Sequence, residues 1–533
     1  MRSTAHLLRL GAAVALLGLL LAGLAALTWA DNARNRGITF TPDPQPIPWT
    51  SGPQIGVNAY NIQFEVEPAK VTRTLEMARD LGAQYVRMQL PWQDVEISGK
   101  GDFWDHKFNK NAWAKYDFLF GDMQRLGMEP IVRIDRPPDW ARKRVIATPA
   151  WQAGAAFNGN SSGPPDKYAD YADFVAAVAQ RYRGQVRFIQ IWNEPNLQDE
   201  WNWQTPDPAQ FLDLLRQAAA AARAANPDVV ILFPSLAPTD GLDPRAPQTE
   251  LEYLDTIYKL GGKPYFDIMS GQAYGLGQAP DKHRYVRLRQ PFNWRRPLDT
   301  RADVSRLPLL REVMERNGDG ARPIWISEFG YTSAPPGLPA TWGPPVSEAQ
   351  KGAYIVGQIE RARREWPWVG VMNVWMLRWG GPDPTADDPT PYFALVDRDF
   401  NPLPAYTALQ HALAAPVVAG VGAHAATHPA VQAEGGGHVL RFDGTALALR
   451  GAGVAHVRID GGALTTTTLN DAGVVVAQGL ADRTHTAQIS GAAPTVYIVA
   501  RARPLAWLWT YGAAALLFAI AATGAVIGRA VAG

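Results

Sequence analysis

The chain has 533 residues, 51 Lys and Arg against 50 Asp and Glu, and no cysteine. That length holds one large domain and a smaller one, and the near-neutral balance argues against a general nucleic-acid-binding role. Without cysteine there are no disulfides, thiolate zinc sites or cysteine nucleophiles, so catalysis falls to oxygen and nitrogen groups or to a cofactor.

Taken in order, the chain opens with Leu10 to Ala30, an uncharged apolar run preceded by Arg2 and Arg9. It is long enough to cross the ~30 Å hydrocarbon core as a helix. A cleaved signal peptide is the competing reading, because Thr28-Trp29-Ala30 before Asp31 is a tolerable cleavage context. The run exceeds the usual signal core of about 7–15 residues, which favours an uncleaved anchor over residues 1–30. Asp31 to Pro53, with its TPDPQPIP stretch, reads as an extended, proline-rich stalk.

From Gln54 to Ala414 short apolar runs alternate with helical patterns such as Tyr168 to Tyr182, Phe211 to Ala225 and Ala349 to Glu365. The runs are Ile55 to Tyr60, Tyr85 to Leu90, Pro130 to Asp135, Phe188 to Asn193, Val229 to Ser235, Phe266 to Gly271, Ile324 to Ser327 and Val369 to Leu377. Eight such repeats predict an α/β architecture closed into a (β/α)8 TIM barrel rather than an open sheet. In Ala415 to Pro504 the helical patterns vanish and short alternating segments sit between glycine-rich turns, which predicts a small C-terminal β-sandwich. Leu505 to Gly528 is a second uncharged run able to span a bilayer. Two spans put both termini on one side of a cell membrane, and the export-like start favours an extracytoplasmic middle.

Two of the eight runs end alike. Arg187 to Asn196 reads RFIQIWNEPN, and Pro323 to Gly330 reads PIWISEFG. Each is an apolar strand closed by a glutamate and a turn, so Glu194 and Glu328 sit at carboxyl ends of strands, where barrel side chains converge on one cleft. The bland alternative for Glu194 is an ordinary first-turn acid facing a helix. Paired carboxyl groups flanking a glycosidic bond are the working parts of most glycoside hydrolases.

WNEPN at 192–196 and ISEFG at 326–330 together resemble the signature of clan A retaining glycoside hydrolases, closest to the β-xylosidase and endoglycosidase branch (family 39) or the cellulase-like branch (family 5). The resemblance covers roughly Gln54 to Ala414. It implies Glu194 as general acid and base, Glu328 as nucleophile, and Asn193 as partner of the sugar 2-hydroxyl. It further implies Arg87 beside the nucleophile, Tyr274 bonded to it and Trp375 as platform under the reacting sugar. The structural alternatives are a buried ion pair for Arg87 and a core ring for Trp375. Where relatives often carry histidine two residues before the tyrosine, this chain has Gln272. Trp140, Trp201, Trp203 and Trp379 follow strand ends and are expected around the same mouth.

Other motifs carry less. Gly275 to Gly277 lacks the third glycine of a dinucleotide site, and Gly159 to Gly163, which fits G-x-S-x-G, lies in a polar loop instead of a strand-to-helix elbow. No metal-ligand spacing and no cofactor motif occur. Basic residues gather in two loops: Arg142, Lys143 and Arg144, and Lys282, Arg284, Arg287, Arg289, Arg295, Arg296, Arg301 and Arg306. Both loops belong to the expected mouth, where a positive field would draw in acidic glycans. A solvated loop, or one resting on anionic lipid, is the competing reading. The expectation is a membrane-anchored retaining glycoside hydrolase acting on a polysaccharide or glycoconjugate without metal or cofactor. A transglycosylase and a non-catalytic carbohydrate-binding membrane protein are the rivals.

Overall fold

A computed structural model describes residues 2–149, 151–153, 162–282, 287–288, 294, 298–299, 303–380, 385–504 and 506–531. Its centre is a parallel sheet of strands β1 (Gln54–Asn58), β2 (Tyr85–Pro91), β3 (Glu129–Asp135), β4 (Phe188–Ile191), β5 (Val230–Leu232), β6 (Met269–Gln272), β7 (Ile324–Phe329) and β8 (Val369–Val374). The order is β5-β4-β3-β2-β1-β8-β7-β6, and a parallel bridge from Leu232 to Ile268 joins the two outer strands. The sheet therefore closes into the expected barrel. After the long helix α1 (Arg2–Arg34), one helix follows each strand: α2 (Pro68–Leu81), α3 (Ala114–Arg125), α4 (Tyr168–Arg181), α5 (Pro208–Ala225), α6 (Glu250–Lys259), α7 (Leu307–Arg316), α8 (Glu348–Glu365) and α9 (Pro404–Leu413).

The strands are buried on both faces, because outward side chains such as Val86, Ile189 and Ile326 pack under the helices. Inward side chains change along the barrel axis. Near the amino ends Tyr85, Ile131, Phe188, Val230, Trp325 and Val371 form an apolar plug. Above them Gly56 leaves room for the Asn373 side chain, whose Oδ1 would lie 2.1 Å from an added Cβ.

The stretch before β1 is not a free stalk. Arg36 clamps Glu312 of α7 with two bonds of 2.7 Å, Thr39 donates to the Glu365 carbonyl at the end of α8, and Trp49 closes the plug from below while its carbonyl accepts from the Trp325 indole at 3.1 Å. Proline removes backbone donors, so this segment docks by isolated bonds and adds no strand to the sheet.

Beyond α9 lie two antiparallel sheets. One holds β9 (Gly422–Ala425), β12 (Ala446–Arg450), β15 (Val474–Ala477) and β17 (Val496–Ala500); the other holds β10 (Val431–Glu434), β11 (Gly437–Gly444), β13 (Gly453–Ile459), β14 (Leu464–Leu469) and β16 (Arg483–Gly491). They share a core that includes Leu440, Phe442, Leu447, Leu449, Ile489 and Val499. Arg501, held by an ion pair with Asp443 of β11 at 3.0 Å, ties this unit to the barrel by donating to the Arg364 carbonyl at 3.2 Å.

Of the described residues, one helical stretch, Val14–Arg34, is long and apolar enough to cross a membrane. The C-terminal helix α10 (Ala506–Val531) contains the shorter apolar stretch Trp507–Ile520, so the expected second span is the weaker of the two. The helices touch: Tyr511 donates to the Leu20 carbonyl, and Arg503 pairs with Asp31 at their common root.

Candidate active site

The mouth of the barrel is built where the inward residues turn polar. In β2 the inward positions run from Tyr85 to Arg87 to Gln89, and in β3 from Ile131 to Arg133 to Asp135, two residues apart as a strand dictates. Arg87 is 3 % exposed and reaches three groups: Glu328 Oε1 at 2.9 Å, Asn58 Oδ1 at 2.7 Å and Gln190 Oε1 at 3.0 Å. Asn58 in turn donates to the Ser327 carbonyl at 2.9 Å, fixing the backbone that carries Glu328.

Glu328 departs from simple alternation. Ile326 pairs with Gly271 but Glu328 pairs with Gln272, a slip in register between β7 and β6. Such an irregularity re-aims a side chain. With Ile326 packed outward and Ser327 donating to the Gly271 carbonyl, regular alternation would send Glu328 toward the helices. Instead it lies buried in the mouth. Tyr274 donates to its Oε2 at 2.7 Å, and burial followed by that carboxylate holds the phenol well above its usual range. Trp342 and Phe393 pack on the Tyr274 ring.

Glu194 has a different setting. It takes a left-handed backbone, φ 41, just after Trp192 at φ 68, conformations that cost non-glycine residues about 1–3 kcal/mol each and cluster at functional sites. Asn196 restrains the turn by exchanging two 2.9 Å bonds with the Ala237 backbone, and Glu194 N–H donates to the Ser235 carbonyl. Burial, then the negative field of Glu328 and of Glu200, pushes the Glu194 carboxyl up to about 8, against the opposing pull of a 2.5 Å bond from Gln272. Gln272 is also the cross-strand neighbour of Glu328.

Trp375 packs at 4.9 Å from Tyr60, which also meets Trp379 at 5.4 Å, and the Trp375 indole nitrogen is buried without a protein partner. The Trp375–Met376 peptide is cis. Asn193 is 5 % exposed beside Glu194. Trp201 is a correction: at 1 % exposure it packs edge-on against Trp192 and Phe211, a core ring, because the loop folds back over α5. Trp140 leans on Trp92 and donates to the Glu96 carbonyl.

The basic loops also differ from expectation. Arg306 is 2 % exposed in a pair with Glu250, and Arg142 is 5 % exposed beside Asp139, so both are structural. Arg284, Arg289, Arg295, Arg296 and Arg301 lie outside the described residues, as do Gly159, Asn160 and Ser161. Gly275 faces Tyr331 and Gly277 turns against Pro344, which explains that glycine pair by packing. Among the described residues there is no cluster of metal-ligating side chains.

Sequence reasoning missed the polar floor: Asn58, Gln190, the chain Gln63–Gln89–Asp135 (3.2 and 2.6 Å), Arg133 at 2.9 Å from Asp135, and Glu200. Polar residues at inward positions of otherwise apolar strands were the available signal.

Residues 50–254 match the family model for cellulase (glycosyl hydrolase family 5). No curated protein matches the chain. Similar solved structures include a family 39 glycoside hydrolase from the gut symbiont Bacteroides cellulosilyticus WH2, at 17% identity over 84% of this chain and 83% of that one, TM-score 0.48. A monomeric beta-xylosidase from Caulobacter crescentus CB15 is similar at 14% identity over 85% and 98%, TM-score 0.45. GH5_18 from Streptomyces cattleya in complex with GlcNAc is similar at 16% identity over 68% and 80%, TM-score 0.45. The family match covers the first half of the closed eight-stranded parallel barrel, including the strand and turn that carry Glu194.

Proposed function

We propose that the chain is a membrane-anchored retaining glycoside hydrolase, cleaving O-glycosidic bonds of a polysaccharide or glycoconjugate outside the cytoplasm by double displacement. The observation that carries the mechanism is the unequal setting of two glutamates in one mouth. Glu328 accepts from the Arg87 guanidinium at 2.9 Å and from the Tyr274 hydroxyl at 2.7 Å. Glu194 is buried and keeps its proton to about pH 8. One carboxylate and one carboxylic acid are the pair that glycoside cleavage needs.

In this reading the Glu328 carboxylate attacks the anomeric carbon while Glu194 protonates the departing oxygen. The Glu328–sugar ester is then opened by water, whose proton returns to Glu194. The Asn193 amide meets the 2-hydroxyl, Trp375 lies under the ring, and Gln272 donates to the Glu194 carboxyl. The paired terminal helices support the anchored part, and the two glutamates, with Trp375 and Asn193, support a carbohydrate partner.

The test is a glycan and aryl-glycoside panel on the purified protein, with the anomer released first followed by proton NMR. Retention of configuration is expected. Inversion, or turnover that survives in both Glu194→Gln and Glu328→Gln, sinks the reading. Added acceptor sugars separate a transglycosylase, which would transfer rather than hydrolyse, and absence of turnover with measurable binding would favour the non-catalytic rival.

A further inference from the structure

We propose that Glu200 is a positioning residue that fixes which edge of the Asn193 amide faces the reacting sugar, so that the site reads a hydrogen-bond donor on the carbon next to the anomeric one. This rests on the glycosidase reading above. Glu200 follows Glu194 in the same loop, where the chain folds back and the Trp192 indole donates to the Glu200 carbonyl at 3.1 Å. Its Oε1 accepts from Asn193 Nδ2 at 3.4 Å. The remaining oxygens, Asn193 Oδ1 and Glu200 Oε2, are buried with no protein partner.

An amide has one donating and one accepting end, and a carboxylate pairs only with the donating end. With Nδ2 turned to Glu200, the amide oxygen is left for substrate. An oxygen there accepts from a hydroxyl and has nothing to offer a bare CH2. Leaving it unpaired in a buried site forfeits a hydrogen bond without return of water, so the preference acts at binding and in the transition state. Glu200 faces Arg133 and Asp135 from β3, Arg136 just beyond that strand, and Asp199 beside it. Burial and then Asp135 lift its carboxyl to about 7, while Arg133 and Arg136 pull the other way. The negative form of Glu200 is one of the charges that raise Glu194.

The experiment uses the full-length protein and two probes: the best aryl glycoside of the panel and its 2-deoxy counterpart. Comparing variants on the same two compounds cancels their intrinsic reactivity. In Glu200→Ala the kcat/KM preference for the 2-hydroxy compound should fall about tenfold, with the 2-deoxy compound changed less than about threefold. Glu200→Gln, which can still accept from Asn193, should restore the preference and move the basic limb of the pH profile downward, because a negative neighbour of Glu194 is gone. An unchanged preference in Glu200→Ala, or an equal loss on both compounds in both variants, overturns the proposal. If the wild type turns over no glycoside, the glycosidase reading fails on its own. The same ratio is then taken from calorimetric binding of the parent sugar and its 2-deoxy analogue, with the same criteria.

Discussion

The two ends of the barrel use the same strands for opposite purposes. At the amino ends Tyr85, Ile131, Phe188 and Trp325 interlock as a dry plug, with Phe188 and Trp325 rings 4.7 Å apart. Two residues further along the same strands stand Arg87, Arg133, Gln190 and Ser327. The plug gains from burial of apolar surface. The mouth buries charges and leaves polar atoms such as Arg87 Nη2, Asn193 Oδ1 and Trp375 Nε1 unpaired. The difference teaches that this barrel concentrates its stability at one end and holds the other in a costly, preorganised state that a polar ligand would complete.

Substitutions can break the comparison, beginning with the largest effect. Glu328→Gln should lower kcat/KM by roughly 10⁴-fold or more while melting changes less than for any plug variant, measured by initial rates and scanning calorimetry. Trp325→Ala, at the plug, should cost about 3–5 kcal/mol of stability, read from denaturant unfolding, with the surviving folded enzyme keeping a normal KM. A plug variant that altered substrate preference would blur the division. The pH profile sharpens it. Glu194 must hold its proton to act as acid, so kcat/KM should decline above about pH 8. Glu194→Gln should remove that limb and cost about 10²–10⁴-fold on substrates with poor leaving groups. Smallest is Tyr274→Phe, which deletes one bond to Glu328 and should lower kcat/KM by about tenfold with little change in melting.

Much of this was legible in the chain. The eight apolar runs, Glu194 and Glu328, and the sandwich beyond Ala414 are written locally, as runs of matching period broken by turn residues. Arg87 and Tyr274 were legible through resemblance, and the structure sets both on Glu328. What could not be read is what depends on folding back. Trp201 looked like a rim residue because it follows a strand end, yet its loop returns to the core. Arg306 looked like part of a basic field, yet Glu250, distant in sequence, encloses it. The aim of Glu328 rests on a register slip between two strands that no single strand encodes. Glu200 carried no motif, and its place beside Asn193 appears only once the loop is closed.

The docked segment between α1 and β1 has a consequence for reach. It grips the carboxyl ends of α7 and α8 and seals the plug, so the roots of both terminal helices emerge on the side opposite the mouth. Under the anchoring proposed above, the mouth faces away from the bilayer. Under that proposal headgroup sugars in the supporting leaflet would be out of range, and the polymers within range would be those arriving from beyond, by a strand long or mobile enough to enter from above.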